Sequence, residues 1–290
     1  MSAAAARSAE KDAVVVREAA RANDLDRYLS ALLAPRAKRA DLITLTAFLG
    51  EAARISSAVN EPMMGEIRLQ WWCDAIVNRG SGDPIGNPVA DALVEMIDRR
   101  ELPQDAFLSL LEARGRELQP EPFATVQEME RYCDETEGTA FRLAAQLLDA
   151  EALTAGAPEG GAATASPARA LMRAAGQTWG RVALLRLLPV LIAKGRNPLA
   201  FSDRSNDPQA DWSGPALALI DSARTWLSEA RHLAMLVPGG VKPAILPLAL
   251  VEPYLTALEG LGPDIARTRA DISPLARVWR LWRASMLGRI

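Results

Sequence analysis

Arginine, carboxylate and tryptophan side chains crowd into Glu51–Asp74, EAARISSAVNEPMMGEIRLQWWCD. Arg54, Glu61, Glu66 and Arg68 stand there among apolar residues, and Trp71 and Trp72 follow directly. Bulky rings beside polar groups suit the wall of a ligand cavity. A core helix with a charged rim has the same composition, and the residue types alone do not choose between the two. Other chemistry is thin. The chain has no P-loop, no G-x-G-x-x-G after a strand, no H-E-x-x-H and no G-x-S-x-G. His232 is the single histidine, which argues against histidine-rich metal sites and histidine-dependent triads. Cys73 and Cys133 are far apart, so neither a disulfide framework nor a cysteine zinc site is expected, and a reducing compartment is the default.

The elements that must position these residues are helical. Of 290 residues, 49% are hydrophobic and 24% charged, enough to bury a core without staples and too apolar for a disordered chain. With 33 basic and 36 acidic side chains the net charge is −3, which supplies no field for coating nucleic acid. The basic side chains are 29 Arg and 4 Lys in an alanine-rich chain, the mark of compositional drift. Ala, Leu, Arg and Glu favour helix, and runs of β-branched alternation are scarce. Asp24 or Asp26 is suited to cap a short helix ending before Pro35. Leu42, Leu45, Phe48, Leu49, Ala52 and Ile55 then recur at helical spacing through 40–59.

Glu61-Pro62 opens the next helix, and Pro103 and Thr125 are further start signals. The pattern predicts single helices over 125–149 and, with Pro189 inside, 168–194. Further helices are expected over 216–236, 243–261 and 274–286. Residues 1–20 read as a flexible N-terminal segment without a secretory apolar run. One helical domain is expected over 21–290, with long loops at 155–167 and 197–215. The most apolar stretch, 233–258, is broken by Pro238, Pro243, Pro247 and Pro253 and by Lys242, so it reads as buried loop and helix and not as a transmembrane span.

Several stretches in order resemble the squalene/phytoene synthase family, all-helical enzymes that join two prenyl diphosphates. They are RYLSALLAPRAKRADLITLTAFLGEAARI, NEPMMGEIRLQWW, RYCDETEGTAF, GQTWGRVALLRLLPVLIAKGRNPL and KPAILPLALVEPYLTAL. The helical pattern sums to one all-α domain of about nine to eleven helices, and the resemblance implies an isoprenoid-synthase-like bundle around a central cavity. It also implies two D-x-x-x-D motifs, whose i and i+4 carboxylates share a helix face and hold Mg²⁺ against diphosphate. Here the sequence departs. The first pair of positions falls on Ser56 and Asn60. Arg186 matches the arginine that precedes the second pair, which falls on Leu187 and Leu191. Mg²⁺ needs hard oxygen ligands and finds none on leucine. Asp134, Glu135 and Glu137, near Tyr132 and Gly138, are the nearest carboxylates for a relocated site; a solvated rim is the plain alternative.

The residues E-A-A-R-I-S-S-A-V-N-E-P-M-M-G-E-I-R-L-Q-W-W and the W-x-x-W-R-A-S ending are similar to one branch of that family. It includes mitochondrial complex I assembly factor six and its bacterial relatives, and lacks the aspartate pairs. This likeness implies a non-catalytic assembly or binding factor with respiratory complex I subunits as partners. It implies a cytoplasmic place, with peripheral contact at the inner face of the membrane, and leaves room for a prenyl or lipid-like ligand. No catalytic residue, metal or other cofactor is expected on this reading. The alternative is an active prenyl-diphosphate synthase using Mg²⁺ at a non-standard site. Arg54, Ser56, Asn60, Glu61, Arg68, Trp71, Tyr132, Arg186, Leu187 and Leu191 are the candidate cavity or ligand-binding residues. Lys194 and Arg196 either hold an anion or solvate helix ends. A third possibility is a scaffold whose old cavity is filled by large apolar side chains.

Overall fold

Helix formers set the architecture, and polar caps set its boundaries. The computed structural model of the protein describes residues 3–78, 85–154, 166–199 and 211–290, and among them places twelve α-helices and no strand. They are α1 Ala3–Asn23, α2 Leu25–Leu33, α3 Arg39–Ala58, α4 Pro62–Val77, α5 Pro88–Arg99, α6 Gln104–Arg114, α7 Val126–Cys133, α8 Thr139–Thr154, α9 Pro167–Ala193, α10 Ser213–Leu233, α11 Val251–Leu261 and α12 Pro274–Leu287. Side-chain oxygens of Asp24, Asn87, Thr125, Ser166 and Ser273 accept backbone N–H bonds at the starts of α2, α5, α7, α9 and α12. Each satisfies a donor that a helix start leaves unpaired. Pro62, Pro88, Pro167 and Pro274 occupy first turns, where no N–H is needed.

The core has two halves that meet at α8. Leu42, Leu45, Phe48, Leu49, Ala52 and Ile55 of α3 are all buried, as their spacing predicts, and pack with α1, α4, α5 and α6. The second half gathers α7, α9, α10, α11 and α12 around Trp179, Trp212 and Tyr254. Ala140, Leu143 and Leu147 of α8 belong to the first half, and Phe141 and Ala145 to the second. One helix with two apolar faces therefore joins the halves.

The structure corrects the expectations in four places. The flexible segment expected over 1–20 is helical from Ala3, because Val16 and Ala20 give α1 a buried stripe. The loops expected at 155–167 and 197–215 fall mostly on 155–165 and 200–210, outside the described residues. Ser166 already caps α9, and α10 begins at Ser213. The single helix expected over 125–149 is divided into α7 and α8 by a π-helical turn, Asp134–Gly138. The helix expected over 243–261 is 3-10 helical across Gly239–Leu250, where Pro243 and Pro247 remove donors, before α11 begins.

The last of these bears on membranes. Within Gly239–Ala266 an 18-residue window reaches mean hydropathy 1.4, enough by composition and length to cross a bilayer. Yet α11 is 11 residues long, which spans about 16 Å against the roughly 30 Å of a hydrocarbon core. Val241, Ile245, Leu248, Val251, Tyr254, Leu255 and Leu258 are buried inside the bundle.

The π-turn exists where two backbones touch. A Cβ at Gly176 of α9 would collide with the backbone N and Cα of Gly138. Backbone atoms cannot yield as a flexible side chain can. Gly176→Ala is therefore expected to lower unfolding free energy by about 2–3 kcal/mol, measured by urea denaturation. Gly214→Ala, which meets nothing within 4 Å, should stay within about 0.5 kcal/mol of the parent. Equal stability of the two variants would contradict the close approach.

Candidate functional site

The inner end of α3 is where the resemblance places its first carboxylate pair. The buried Ser56 stands there and donates its hydroxyl to Glu117 Oε2. Glu117 lies on a 3-10 turn after α6, beside Arg114, the last residue of that helix. Arg114 Nη1 donates to Glu117 Oε1 at 2.7 Å and to the Tyr132 hydroxyl at 3.1 Å. Tyr132 in turn donates to Glu117 Oε1. Arg114 Nη2 reaches Glu137 Oε1 at 2.5 Å, and Arg27 donates to the other oxygen of Glu137. Arg27 also binds Asp24 at 2.8 Å and lies 5.4 Å from the centre of the Phe141 ring.

The result is a chain of ion pairs, Asp24–Arg27–Glu137–Arg114–Glu117, joining α2, α6 and the π-turn. Its inner members Arg114, Glu117 and Glu137 are each less than a tenth exposed. Burial by itself would raise the Glu137 carboxyl, but Arg27 and Arg114 overcome that and hold it at about 2. Burial and then the Glu117 charge push the Tyr132 phenol well above its usual value. The neighbouring Cys133 thiol is pushed up to about 12, chiefly by burial. Arg114 Nε has no partner among the described residues. The cluster is otherwise satisfied from within, as buried charges must be.

A second set of cations closes the end of α3. Arg196 Nη1 donates to Ser56 O at 2.9 Å and Arg196 Nη2 to Asn60 O at 3.0 Å. Lys194 Nζ donates to Val59 O at 2.6 Å. These carbonyls lie at the negative end of the helix, where cations are favoured. Burial, followed by Arg196, lowers the Lys194 pKa. Lys194 and Arg196 thus fix a helix end.

The expected site residues fall into separate places. Ser56, Tyr132 and Leu191 reach the interior; Leu191 lines a space of about 10 Å³ with Glu117 and Arg196. Asn60 is exposed and accepts from Lys194 Nζ at 3.3 Å. Glu61 is exposed at the start of α4 and makes no side-chain cap. Arg54, Arg68 and Trp71 line an open surface cleft of about 410 Å³, with Trp72 packed edge-on to Trp71. Leu187 is half-buried.

Arg186 belongs to another cluster. Its guanidinium sits 4.0 Å from the Tyr254 ring centre. Tyr254 Oη donates to Asp26 Oδ2 at 2.6 Å, and Arg277 Nε to Asp26 Oδ1 at 2.6 Å. Burial and then Asp24 raise the Asp26 carboxyl. This cluster ties α2, α9 and α11 to α12.

Arg27, Arg114, Glu117 and Glu137 are the residues that sequence reasoning missed or placed on a rim. Glu137 is buried and carries two arginines. Asp134 pairs with Arg142 at 2.8 Å, and Glu135 borders a shallow surface cleft.

The residues do not fit the Mg²⁺ that the fold implies. Ser56, Asn60, Leu187 and Leu191 supply no carboxylate. No group of three or more His, Cys, Asp or Glu placed to hold a metal occurs among the described residues. Arg196 and Lys194 already bring positive charge to the end of α3. The apolar space between α2, α3 and α8, beside Phe141 and Pro247, measures about 30 Å³. That admits roughly two waters, whereas a prenyl chain needs a pocket of several hundred Å³.

The all-helical bundle has an isoprenoid-synthase-like fold. The chain belongs to the squalene/phytoene synthase family: the family model described as "Squalene/phytoene synthase" matches residues 20–276. It is homologous to "NADH dehydrogenase (ubiquinone) complex I, assembly factor 6" of Bos taurus. The two are 24% identical over 270 residues, covering 92% of this chain and 80% of that protein. Among solved structures it resembles a dehydrosqualene synthase in complex with ligand, with TM-score 0.69 and 16% identity over 97% of this chain and 98% of the other. It also resembles squalene synthase HpnC from Alicyclobacillus acidocaldarius, with TM-score 0.62 and 20% identity over 88% and 97%. These structural likenesses establish the fold.

The depressed Glu137 carboxyl makes the cluster a pH-dependent contributor. Its folded pKa of about 2 lies below the ordinary 4.5. The stabilisation is therefore complete above the ordinary value and is lost as pH falls from there through the folded value. At neutral pH it amounts to about 3 kcal/mol. Glu137→Gln should lose about 3–5 kcal/mol, since two buried arginines then share a neutral acceptor. Its stability should also vary less across the window between those two pKa values, followed by urea denaturation at a series of pH values. Parallel pH curves for parent and variant would contradict the assignment.

Proposed function

We propose that this chain is a non-catalytic assembly or binding factor linked to respiratory complex I, acting in the cytoplasm with peripheral contact at the inner face of the membrane. One observation carries the reading. The positions that the family resemblance assigns to metal-holding carboxylates are Ser56, Asn60, Leu187 and Leu191. Of these, Ser56 and Leu191 reach the interior, where Glu117 and Arg196 of the same chain already stand beside them. Homology to complex I assembly factor 6 over 92% of the chain supports the choice of partner. Arg54, Arg68 and Trp71 are the expected site residues that remain on an open cleft. We assign them to contact with a protein partner.

The family match also supports a second reading, an active prenyl-diphosphate synthase with a non-standard metal site. It would need oxygen ligands that the described residues do not gather. The readings separate in the cell. Deleting the gene should sharply reduce fully assembled complex I on native gels, and restoring the unaltered chain should return it. Full assembly in the deletion strain, together with Mg²⁺-dependent pyrophosphate release by the purified protein from farnesyl diphosphate, would overturn the proposal in favour of the enzyme.

A further inference from the structure

Helix α12 carries two stripes, and the bundle uses one. Arg277, Leu281 and Ala284 recur at i, i+4 and i+7 and are buried. Leu275, Val278, Trp279, Trp282 and Met286 recur at i, i+3, i+4, i+7 and i+11, which places them on one face turned away from the buried stripe. That face is apolar and open: Leu275 is 81% exposed, Trp279 56% and Met286 64%. The Trp279 and Trp282 rings stack with centroids 5.3 Å apart. Isolated exposed apolar residues are ordinary, but a continuous stripe is not.

Two further features lie at the end of α12. Met235 and Leu236 are exposed beyond the end of α10. The chain on either side of them is tied to the end of α12, with Arg231 Nε donating to Ile290 O at 3.1 Å and Lys242 Nζ to Gly288 O at 3.5 Å. The charge is also asymmetric. Apart from the buried Arg277, which is paired with Asp26 and Asp271, residues 272–290 contain Arg280, Arg283 and Arg289 and no acid, a formal +3. The chain as a whole carries −3. Arg280, Arg283 and Arg289 are exposed beside the apolar stripe.

We infer that α12, with Met235 and Leu236, docks the protein onto the interface of an anionic phospholipid bilayer. Tryptophan pairs favour the headgroup boundary, apolar neighbours enter the acyl region, and flanking arginines meet lipid phosphates. A second copy of the chain is a poor occupant. A two-fold contact would set this arginine rim against itself. The bundle holds the helix in place: Arg277 binds Asp26 at 2.6 Å and Asp271 at 2.7 Å, which leaves the outer stripe free. The inference deepens the peripheral-contact part of the proposed function. Its test uses the purified chain alone, so it stands or falls independently of complex I.

The test is vesicle flotation of the full chain with zwitterionic phosphatidylcholine and with phosphatidylcholine containing about one third phosphatidylglycerol or cardiolipin. The protein should float with the anionic vesicles and progressively less as salt rises. Trp279→Ala/Trp282→Ala and Arg280→Glu/Arg283→Glu should each bind at least about tenfold more weakly. Both should melt like the parent, because the replaced side chains are exposed. Met63→Ala/Ile67→Ala, on the exposed face of α4, should bind like the parent. Three results would each overturn the inference: parent protein left in the lipid-free fraction, equal binding to both vesicle types, or unchanged binding by the α12 variants. A concentration-dependent dimer split by Trp279→Ala/Trp282→Ala would assign the face to a second copy instead.

Discussion

One carboxylate held between two arginines organises the interior. Glu137 joins Arg27 of α2 to Arg114 of α6, and through Arg114 reaches Glu117 and Ser56. Those contacts bring the π-turn, α2, the end of α6 and the end of α3 to one place. The wide turn that carries Glu137 needs Gly138, and Gly138 needs Gly176 opposite it on α9. Neutralising Arg27, Arg114 or Glu137 would leave a buried charge without its counter-charge, which is far more costly than never having buried it. The two halves of the core are therefore coupled by polar contacts at one end of α8 and by apolar ones along its length.

The same cluster bears on the chemistry. In the resembled enzymes, opposed carboxylates are implied to attract metal ions and, with them, diphosphate. Here the charges cancel inside the chain. Glu117 and Glu137 are neutralised by Arg114 and Arg27, and the carbonyls ending α3 are met by Lys194 and Arg196. A divalent cation entering this region would find its oxygens already engaged and two fixed positive groups nearby. The apolar space between α2, α3 and α8 is about 30 Å³. On the proposed reading, recognition rests on the surface, at the Arg54–Trp71 cleft and on α12.

Much of the fold was legible in the sequence because its signals are local. The buried stripe of α3 and the caps at Asp24 and Thr125 depend on neighbours a few residues away. So does Pro62, which opens α4. The site was legible only in part. Ser56, Tyr132 and Leu191 were picked out, by resemblance, and they do reach the interior. Their partners were not. Arg27 and Glu137 are 110 residues apart, and one of the two glutamates of DETEG looks the same on a rim as in a core. Nothing local distinguishes an arginine that folds inward from the other arginines of so arginine-rich a chain. The burial of α1 was missed for a related reason: Val16 and Ala20 form a weak stripe in a segment otherwise rich in alanine and charge. The Trp279 and Trp282 pair was visible as a motif, but its outward orientation appears only once Arg277 and Leu281 are seen to face the bundle.

The central claim is that a self-paired ion cluster has taken the place of a metal and diphosphate site. It is tested most directly by thermal melting of the purified protein with farnesyl diphosphate, with Mg²⁺, with both and with neither. A site that bound the diphosphate would raise stability by about 2.7 kcal/mol at a hundred times its dissociation constant, a shift easily seen in melting. The account predicts the same melting temperature in all four conditions. A rise that requires both farnesyl diphosphate and Mg²⁺ would contradict it.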